Sequence, residues 1–260
     1  MRSHDRDDIR HRSAATRVAS LPAVALQCDD EVHVRTEDAQ LAGRLVVPED
    51  PVGLVVFAHG SGSSRHSPRN RYVAEVLQRA GLGTLLFDLL TPEEEPNRRN
   101  VFDIDLLSRR LADVTVWLAG QPRAEGLSIG YFGASTGAAA ALRAATDPRV
   151  EIAAVVSRGG RPDLARQALS LVRAPTLLIV GGHDHVVLEL NRLAAQLMSC
   201  EVVLSVVPGA THLFEEPGTL TMAAELARDW FTARLRPETT SHRSGPRPPF
   251  AGGDVDVIGS

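Results

Sequence analysis

The sequence contains no lysine, so all 28 of its basic residues are arginines. Schiff-base chemistry, pyridoxal phosphate anchoring and a Walker-type phosphate loop all require a lysine amine, and these enzyme classes are therefore excluded. Only two cysteines occur, Cys28 and Cys200. Two cysteines so far apart provide no disulfide framework, no CxxC redox motif and no paired metal ligands.

Long apolar runs and strong net charge are also missing. No run approaches the roughly 18 apolar residues that a membrane-spanning helix needs, and the formal net charge of -4 gives no reason to expect a nucleic-acid partner. The 260 residues are 43% hydrophobic, which is enough for one globular domain with a substantial core. We therefore expect a protein of cytoplasmic location that binds neither membrane nor nucleic acid.

The two ends of the chain differ from the middle in composition. Residues 1–20 are rich in arginine and also carry acidic residues, a mixture that does not match a secretory signal. Residues 237–260 are rich in proline, glycine and serine and have no helical period. The sequence thus predicts a disordered extension over 1–20, a single domain over 21–236 and a disordered tail over 237–260.

From about residue 53, short apolar runs alternate with segments of helical period. The runs span 53–59, 83–89, 127–133, 152–157, 175–182 and 201–209, and the helical segments span 71–81, 102–120, 136–146, 189–199 and 218–234. Nearly continuous apolar runs are typical of parallel strands buried on both faces. Alternating residues around Glu37 and Asp38 predict an antiparallel hairpin at one sheet edge. The pattern predicts an α/β fold with a mainly parallel, doubly wound sheet of about eight strands.

The stretch YFGASTGAAAAL, residues 131–142, places Ser135 between two glycines at a predicted strand-to-helix junction. Gly133-x-Ser135-x-Gly137 is the nucleophile-elbow pattern, in which small neighbours let the helix pack close to the strand and leave the serine hydroxyl exposed. The alternative reading is a glycine-rich turn in which Ser135 is only the N-cap of the helix.

An aspartate and a histidine follow two later predicted strands. Asp184 comes after the run at 175–182, and His212 comes after the run at 201–209. The chain order serine, aspartate, histidine is the order of α/β-hydrolase triads, in which the histidine is the general base and the aspartate orients and stabilises it. Taken singly, Asp184 could instead be a turn cap and His212 a surface-loop histidine.

These motifs resemble the serine α/β-hydrolases of dienelactone hydrolase-like type. The similarity covers about residues 31–235. The sequence is also similar to hydrolase domains that are fused to phosphoribosyltransferases in bacteria. It is carried by FAHGSGSS at 57–64, GASTG at 133–137, VGGHDHVV at 180–187 and GATHLFEEPG at 209–218. Dienelactone hydrolase itself uses a cysteine nucleophile, whereas Ser135 stands here. This difference argues against dienelactone as the substrate and leaves ester hydrolysis as the expectation.

The resemblance also implies an oxyanion hole. By family position the backbone N–H of Thr136 supplies one donor, and Gly60 or Ser61 supplies the other. The glycine-rich loop at 59–64 could suggest phosphate binding, but it has neither GxGxxG nor the Walker pattern. His59 is interpreted as a structural residue.

Other polar residues are candidates for binding substrate. Arg65 and Arg158 follow predicted strands at the carboxyl edge of the sheet, where ligands bind in parallel α/β folds. The alternative is solvated loop charge, or pairing with the acidic run 93–95. His183 and His185 lack the further ligands of a metal site, so we predict neither a metal nor a cofactor.

The short connection at 158–174 leaves no room for a lid domain, so we expect an open active site. Two functions remain. The first is a serine hydrolase that cleaves carboxylic esters or thioesters through an acyl-enzyme. The second is a non-catalytic domain of the same fold that binds a ligand or regulates. The sequence leaves the assembly of a homo-oligomer open.

Overall fold

The structure is a computed structural model that describes residues 25–235. Eight strands form one sheet in the order β1-β2-β4-β3-β5-β6-β7-β8. The strands are β1 (Leu26–Arg35), β2 (Gln40–Pro48), β3 (Gly53–Ala58), β4 (Leu82–Phe87), β5 (Ile129–Ala134), β6 (Ile152–Arg158), β7 (Thr176–Gly181) and β8 (Val202–Val207). The helices are α1 (Pro68–Arg79), α2 (Arg98–Val101), α3 (Ile104–Ala119), α4 (Thr136–Ala144), α5 (His185–Leu197) and α6 (Thr219–Arg234).

Strand direction follows the predicted pattern. β1 and β2 form an antiparallel hairpin, and β2 pairs antiparallel with β4. All pairs from β4 to β8 are parallel. The carboxyl ends of the parallel strands therefore meet at one edge of the sheet, where ligand sites of such folds lie.

Helices cover both faces of the sheet and create two large hydrophobic cores. One core contains side chains of α3 and α4, including Leu111 and Leu142, and the other contains side chains of α1 and α6, including Leu77 and Phe231. These are the two layers of a doubly wound sheet. The predicted fold class is confirmed, including the number of strands and the hairpin at one edge.

Two local predictions are wrong in detail. β8 is not buried on both faces: it lies at the edge of the sheet, and Val203 and Val206 are about two-fifths exposed. Helix α5 begins at His185 rather than 189, because the chain turns into the helix directly after Asp184. The connection from β6 to β7 holds 3₁₀ turns over Pro162–Leu171, interrupted at Arg166, where φ is 53°.

That connection contains no inserted lid, as predicted. Within residues 25–235, no helix is long and apolar enough to cross a membrane. The predicted disordered segments, 1–20 and 237–260, lie outside the described residues, and the predicted domain boundaries therefore stay predictions.

Candidate active site

Ser135 lies in the sharp turn between β5 and α4. Its backbone has φ 51° and ψ -120°, a strained conformation for a residue with a side chain. The turn depends on its two glycines: a Cβ on Gly133 would lie 2.4 Å from the Ala138 Cα, and one on Gly137 would lie 2.2 Å from the Ala58 carbonyl oxygen. The helix therefore packs against the strands as closely as the sequence pattern predicts.

The side chain of Ser135 points away from the helix that it precedes. Its hydroxyl makes no capping hydrogen bond to α4. The Oγ atom lies 3.3 Å from Nε2 of His212 instead. The geometry thus disfavours the alternative in which this serine is only a helix cap.

Asp184 behaves in the same way at the start of α5. It occupies the N-cap position without making a side-chain cap, and its Oδ2 lies 2.6 Å from Nδ1 of His212. The Asp184 side chain is 14% exposed and that of His212 is 38% exposed. Ser135, His212 and Asp184 therefore form one hydrogen-bonded row that is solvent-accessible at the histidine.

The loop after β8 holds His212 in place. The N–H of His183 donates to the Ala210 carbonyl oxygen at 2.9 Å, and the N–H of Thr211 donates to the Glu216 carboxylate at 3.0 Å. Phe214 is buried at 2% exposure and anchors the loop in the core with φ 55°. Hydrogen bonds before His212 and a buried phenylalanine after it therefore hold the loop that carries the histidine.

The loop after β3 lies against the turn that carries Ser135. A Cβ on Gly60 would lie 3.0 Å from the Ser135 Cβ. The N–H of Ser61 donates to the Thr136 hydroxyl at 2.8 Å. Thr136 is the first residue of α4, and N–H groups in the first turn of a helix have no acceptor within it. The backbone N–H of Thr136 therefore lies beside Ser135 without a helical partner.

His59 links the end of β3 to the end of β4. Its Nε2 accepts the N–H of Leu89 at 3.0 Å, and its Nδ1 lies 3.0 Å from the Gly60 carbonyl oxygen. These partners require a neutral ring with the proton on Nδ1. Burial lowers the pKa of His59, which favours the same neutral form. The contacts agree with the structural role expected from the sequence.

Arg65 is engaged by two carboxylates. Its guanidinium pairs with Asp88, and its backbone N–H donates to the same carboxylate at 2.7 Å. A second carboxylate, Glu31, lies 3.7 Å from its Nη2. The partners differ from the expected acidic run 93–95. Its role in binding substrate stays a prediction.

Arg158 is the last residue of β6, where it pairs with Ala134 of β5, and it is only 8% exposed. Its guanidinium lies 5.9 Å from each of the Phe132 and Phe214 rings, and its Nη2 is 3.3 Å from Asn70 Oδ1. Burial, with a smaller contribution from the nearby charge of Arg69, lowers the pKa of Arg158 to about 10. Its role in binding substrate likewise stays a prediction.

One contact at the site has no signal in the sequence. The sequence pattern predicts a role for the backbone N–H of Thr136. In the structure the hydroxyl of Thr136 also accepts a hydrogen bond, from Ser61, which lies 75 positions away in the chain.

Over residues 25–235, no group of three or more histidine, cysteine, aspartate or glutamate side chains is arranged to hold a metal ion.

A sheet of this topology with a strained serine at the turn after β5 is the α/β-hydrolase fold. No known family model matches the sequence. The crystal structure of dienelactone hydrolase from Anabaena variabilis is 54% identical, with a TM-score of 0.78 over 80% of this chain and 99% of that one. The chain belongs to the dienelactone hydrolase family.

More distant structures share the fold. Est1E from Butyrivibrio proteoclasticus has a TM-score of 0.66 at 16% identity, covering 78% of this chain and 98% of that one. The esterase domain of a Rhodothermus marinus protein has a TM-score of 0.62 at 20% identity, covering 80% and 99%. These two structures show that the fold is shared, and membership of the dienelactone hydrolase family supports a hydrolase.

Curated relatives carry a different name. A Mycobacterium tuberculosis protein, found in two strains and provisionally named a phosphoribosyl transferase, is 68% identical over 207 residues. The match covers 80% of this chain and 47% of that protein. The chain therefore spans about half the length of the curated relatives it matches, in keeping with the predicted similarity to hydrolase domains fused to phosphoribosyltransferases.

Proposed function

We propose that this chain is a serine hydrolase that cleaves carboxylic esters or thioesters through an acyl-enzyme. The observation that carries the proposal is the row from Ser135 through His212 to Asp184, with separations of 3.3 and 2.6 Å. A serine and an aspartate that stand at helix starts without capping them, and that contact the same histidine instead, have the arrangement of an activated nucleophile.

In the first half of the reaction, Ser135 Oγ attacks the ester carbonyl carbon while His212 Nε2 accepts the hydroxyl proton. The carboxylate of Asp184 holds the proton of the ring on Nδ1 and stabilises the imidazolium that forms. His212 then gives its proton to the departing alcohol or thiol, and the carbonyl bond re-forms to leave the acyl group on Ser135. In the second half, water attacks the acyl-enzyme by the same route and releases the acid.

The negative charge of each tetrahedral intermediate requires preorganised donors. We assign one donor to the backbone N–H of Thr136. For the second donor we favour Gly60, because the N–H of Ser61 already donates to the Thr136 hydroxyl. In this assignment the hydrogen bond from Ser61 to Thr136 holds the loop after β3 against the turn that contains the nucleophile.

The transferase name of the curated relatives does not carry over to this site. The chain covers 47% of those proteins, and the described residues form a site suited to acyl transfer to water. The loop after β3 also lacks the sequence patterns of phosphate-binding loops.

Labelling with a fluorophosphonate tests the proposal, because such reagents react with activated serines. We expect one label per chain on wild type and none on Ser135→Ala, with Ser170→Ala as a control at a serine outside the site. Hydrolysis of 4-nitrophenyl acetate and of an acetyl thioester should be lost in the Ser135→Ala variant, which takes no label. A folded wild type that neither reacts nor turns over would instead support a non-catalytic binding or regulatory domain.

A further inference from the structure

A cavity of about 500 Å³ opens beside the loop after β3. One wall is formed by Ser61 and Gly62, and the other by Pro96, Val101 and Phe102. Its volume lies within the range of about 300–1,000 Å³ that is typical of small-molecule pockets. We name this cavity the 61–102 groove.

The 61–102 groove shares Ser61 with the loop that lies against the proposed site. Ser61 contacts the Thr136 hydroxyl at 2.8 Å, and its neighbour Gly60 packs against Ser135. An ester whose carbonyl oxygen lies at this loop therefore has one of its two substituents close to the mouth of the groove.

Phe102 gives the groove an exposed aromatic wall. The side chain is 47% exposed and follows directly after α2. The guanidinium carbon of Arg98 lies 5.8 Å from the centre of its ring. Single exposed apolar side chains are common on protein surfaces, so exposure alone does not indicate a site. The anchoring of the segment that carries Phe102 is the stronger observation.

A buried arginine anchors the segment that carries this wall. Arg110 is only 1% exposed, and its two terminal nitrogens bind the Glu94 carboxylate at 2.6 and 2.8 Å. The side-chain amide of Asn100 donates to the Glu94 carbonyl oxygen at 3.1 Å. Glu94 thus links the core helix α3 to the segment that ends in Phe102 and anchors that segment beside the groove.

The charges at the rim of the groove balance. Glu95 and Arg98 both line it and have opposite signs, and within residues 25–235 neither forms an ion pair. A charged substrate group would therefore meet one repulsive neighbour. An uncharged aromatic ring would gain an edge or stacking contact with Phe102 and a face for the Arg98 guanidinium, whereas a saturated group gains only burial.

We infer that the 61–102 groove binds an uncharged aromatic group of the substrate, so that the enzyme acts on esters bearing a phenyl-type ring a few bonds from the carbonyl. The inference rests on the proposed function and specifies its substrate class. The ring could belong to the acid or the alcohol portion, and both forms have the same chemistry.

The test compares esters that differ only in the ring. Ethyl 3-phenylpropionate, its cyclohexyl counterpart, 2-phenylethyl propionate and ethyl propionate are hydrolysed in a pH-stat, and kcat/KM is measured for each. We expect the kcat/KM of one of the two phenyl esters to exceed that of ethyl propionate. The same phenyl ester should exceed the cyclohexyl ester by roughly five- to tenfold in kcat/KM. Equal values for all four esters would overturn the inference while leaving the proposed function intact.

Two variants locate the preference. Phe102→Ala should reduce the ratio of phenyl to ethyl ester turnover by roughly five- to tenfold, and Phe102→Leu should give a similar loss because it keeps an apolar side chain without a ring. The control Leu171→Ala removes a side chain that is 64% exposed elsewhere and should leave the ratio unchanged. An undiminished ratio in both Phe102 variants would place the aromatic group somewhere else and refute the assignment.

A binding measurement makes the test independent of turnover. Two uncharged amides, 3-phenylpropionamide with the ring in the acyl portion and N-(2-phenylethyl)propionamide with the ring on the other side, are titrated into Ser135→Ala and into the double variant that also carries Phe102→Ala. We expect the binding of one of these amides to weaken roughly five- to tenfold when the Phe102 ring is removed. If no ester is hydrolysed, the proposed function fails, and equal amide binding by the two proteins would separately reject the groove as an aromatic site.

Discussion

Replacing Asp184 by asparagine tests the electrostatic part of the proposed mechanism. The substitution keeps the shape of the side chain and removes the charge that lies 2.6 Å from His212 Nδ1. The side-chain amide of asparagine can also donate a hydrogen bond to Nδ1, which would leave the ring proton on Nε2, the wrong tautomer for accepting the serine proton. The variant therefore loses both the orientation and the stabilisation of the histidine.

The size of the loss follows from the geometry. Unit charges about 4 Å apart interact by about 4 kcal/mol at the effective dielectric constant of roughly 20 that suits sites near a protein surface. Because each 1.4 kcal/mol corresponds to about a tenfold change in rate, we expect kcat to fall by about a thousandfold. A tautomer change would add to this loss.

The assay is the steady-state hydrolysis of 4-nitrophenyl acetate, with the melting temperature recorded for each protein. Asp229→Asn, which removes a carboxylate that is 67% exposed and paired with Arg228, is a control for the substitution itself and should retain full activity. A folded Asp184→Asn variant within tenfold of wild type would refute the role of this carboxylate.

Three further predictions concern the elements around the site. Thr136→Val, which removes the acceptor of the Ser61 N–H, should lower kcat about five- to tenfold, corresponding to one hydrogen bond of about 1 kcal/mol, while Thr136→Ser stays near wild type; an unchanged or faster valine variant would make Ser61 the oxyanion donor. Gly137→Ala should lower the melting temperature by several degrees and abolish turnover, because its Cβ would lie 2.2 Å from the Ala58 carbonyl oxygen; a variant with wild-type activity would contradict this. The Arg110 guanidinium holds the pKa of Glu94 below its ordinary value of about 4.5, so this pair stabilises the fold above that pH and the contribution is lost as the pH falls through the lower, folded value. Melting curves across the acidic range should therefore be less pH-dependent for Glu94→Gln than for wild type, and identical slopes would argue against the contribution.

Much of the fold is determined by local patterns in the sequence. Apolar runs and helical periods report which side chains must leave water, and their alternation is enough to predict the doubly wound sheet. The spacing of Gly133 and Gly137 around Ser135 predicts the tight turn, because any larger side chain there would collide with neighbouring backbone. The order of Ser135, Asp184 and His212 likewise predicts three residues at the same edge of the sheet.

Only the tertiary structure decided which side chains meet at that edge. Edge exposure of β8 follows from its place in the strand order, which its apolar run does not encode. Arg65 pairs with Asp88 rather than with the acidic run, and Arg110 binds Glu94 of that run instead. Contacts of this kind join residues that are far apart in the chain, and their formation depends on how loops leave the strands. A sequence pattern indicates which segments bury apolar side chains, but it does not specify the partner that each buried residue contacts.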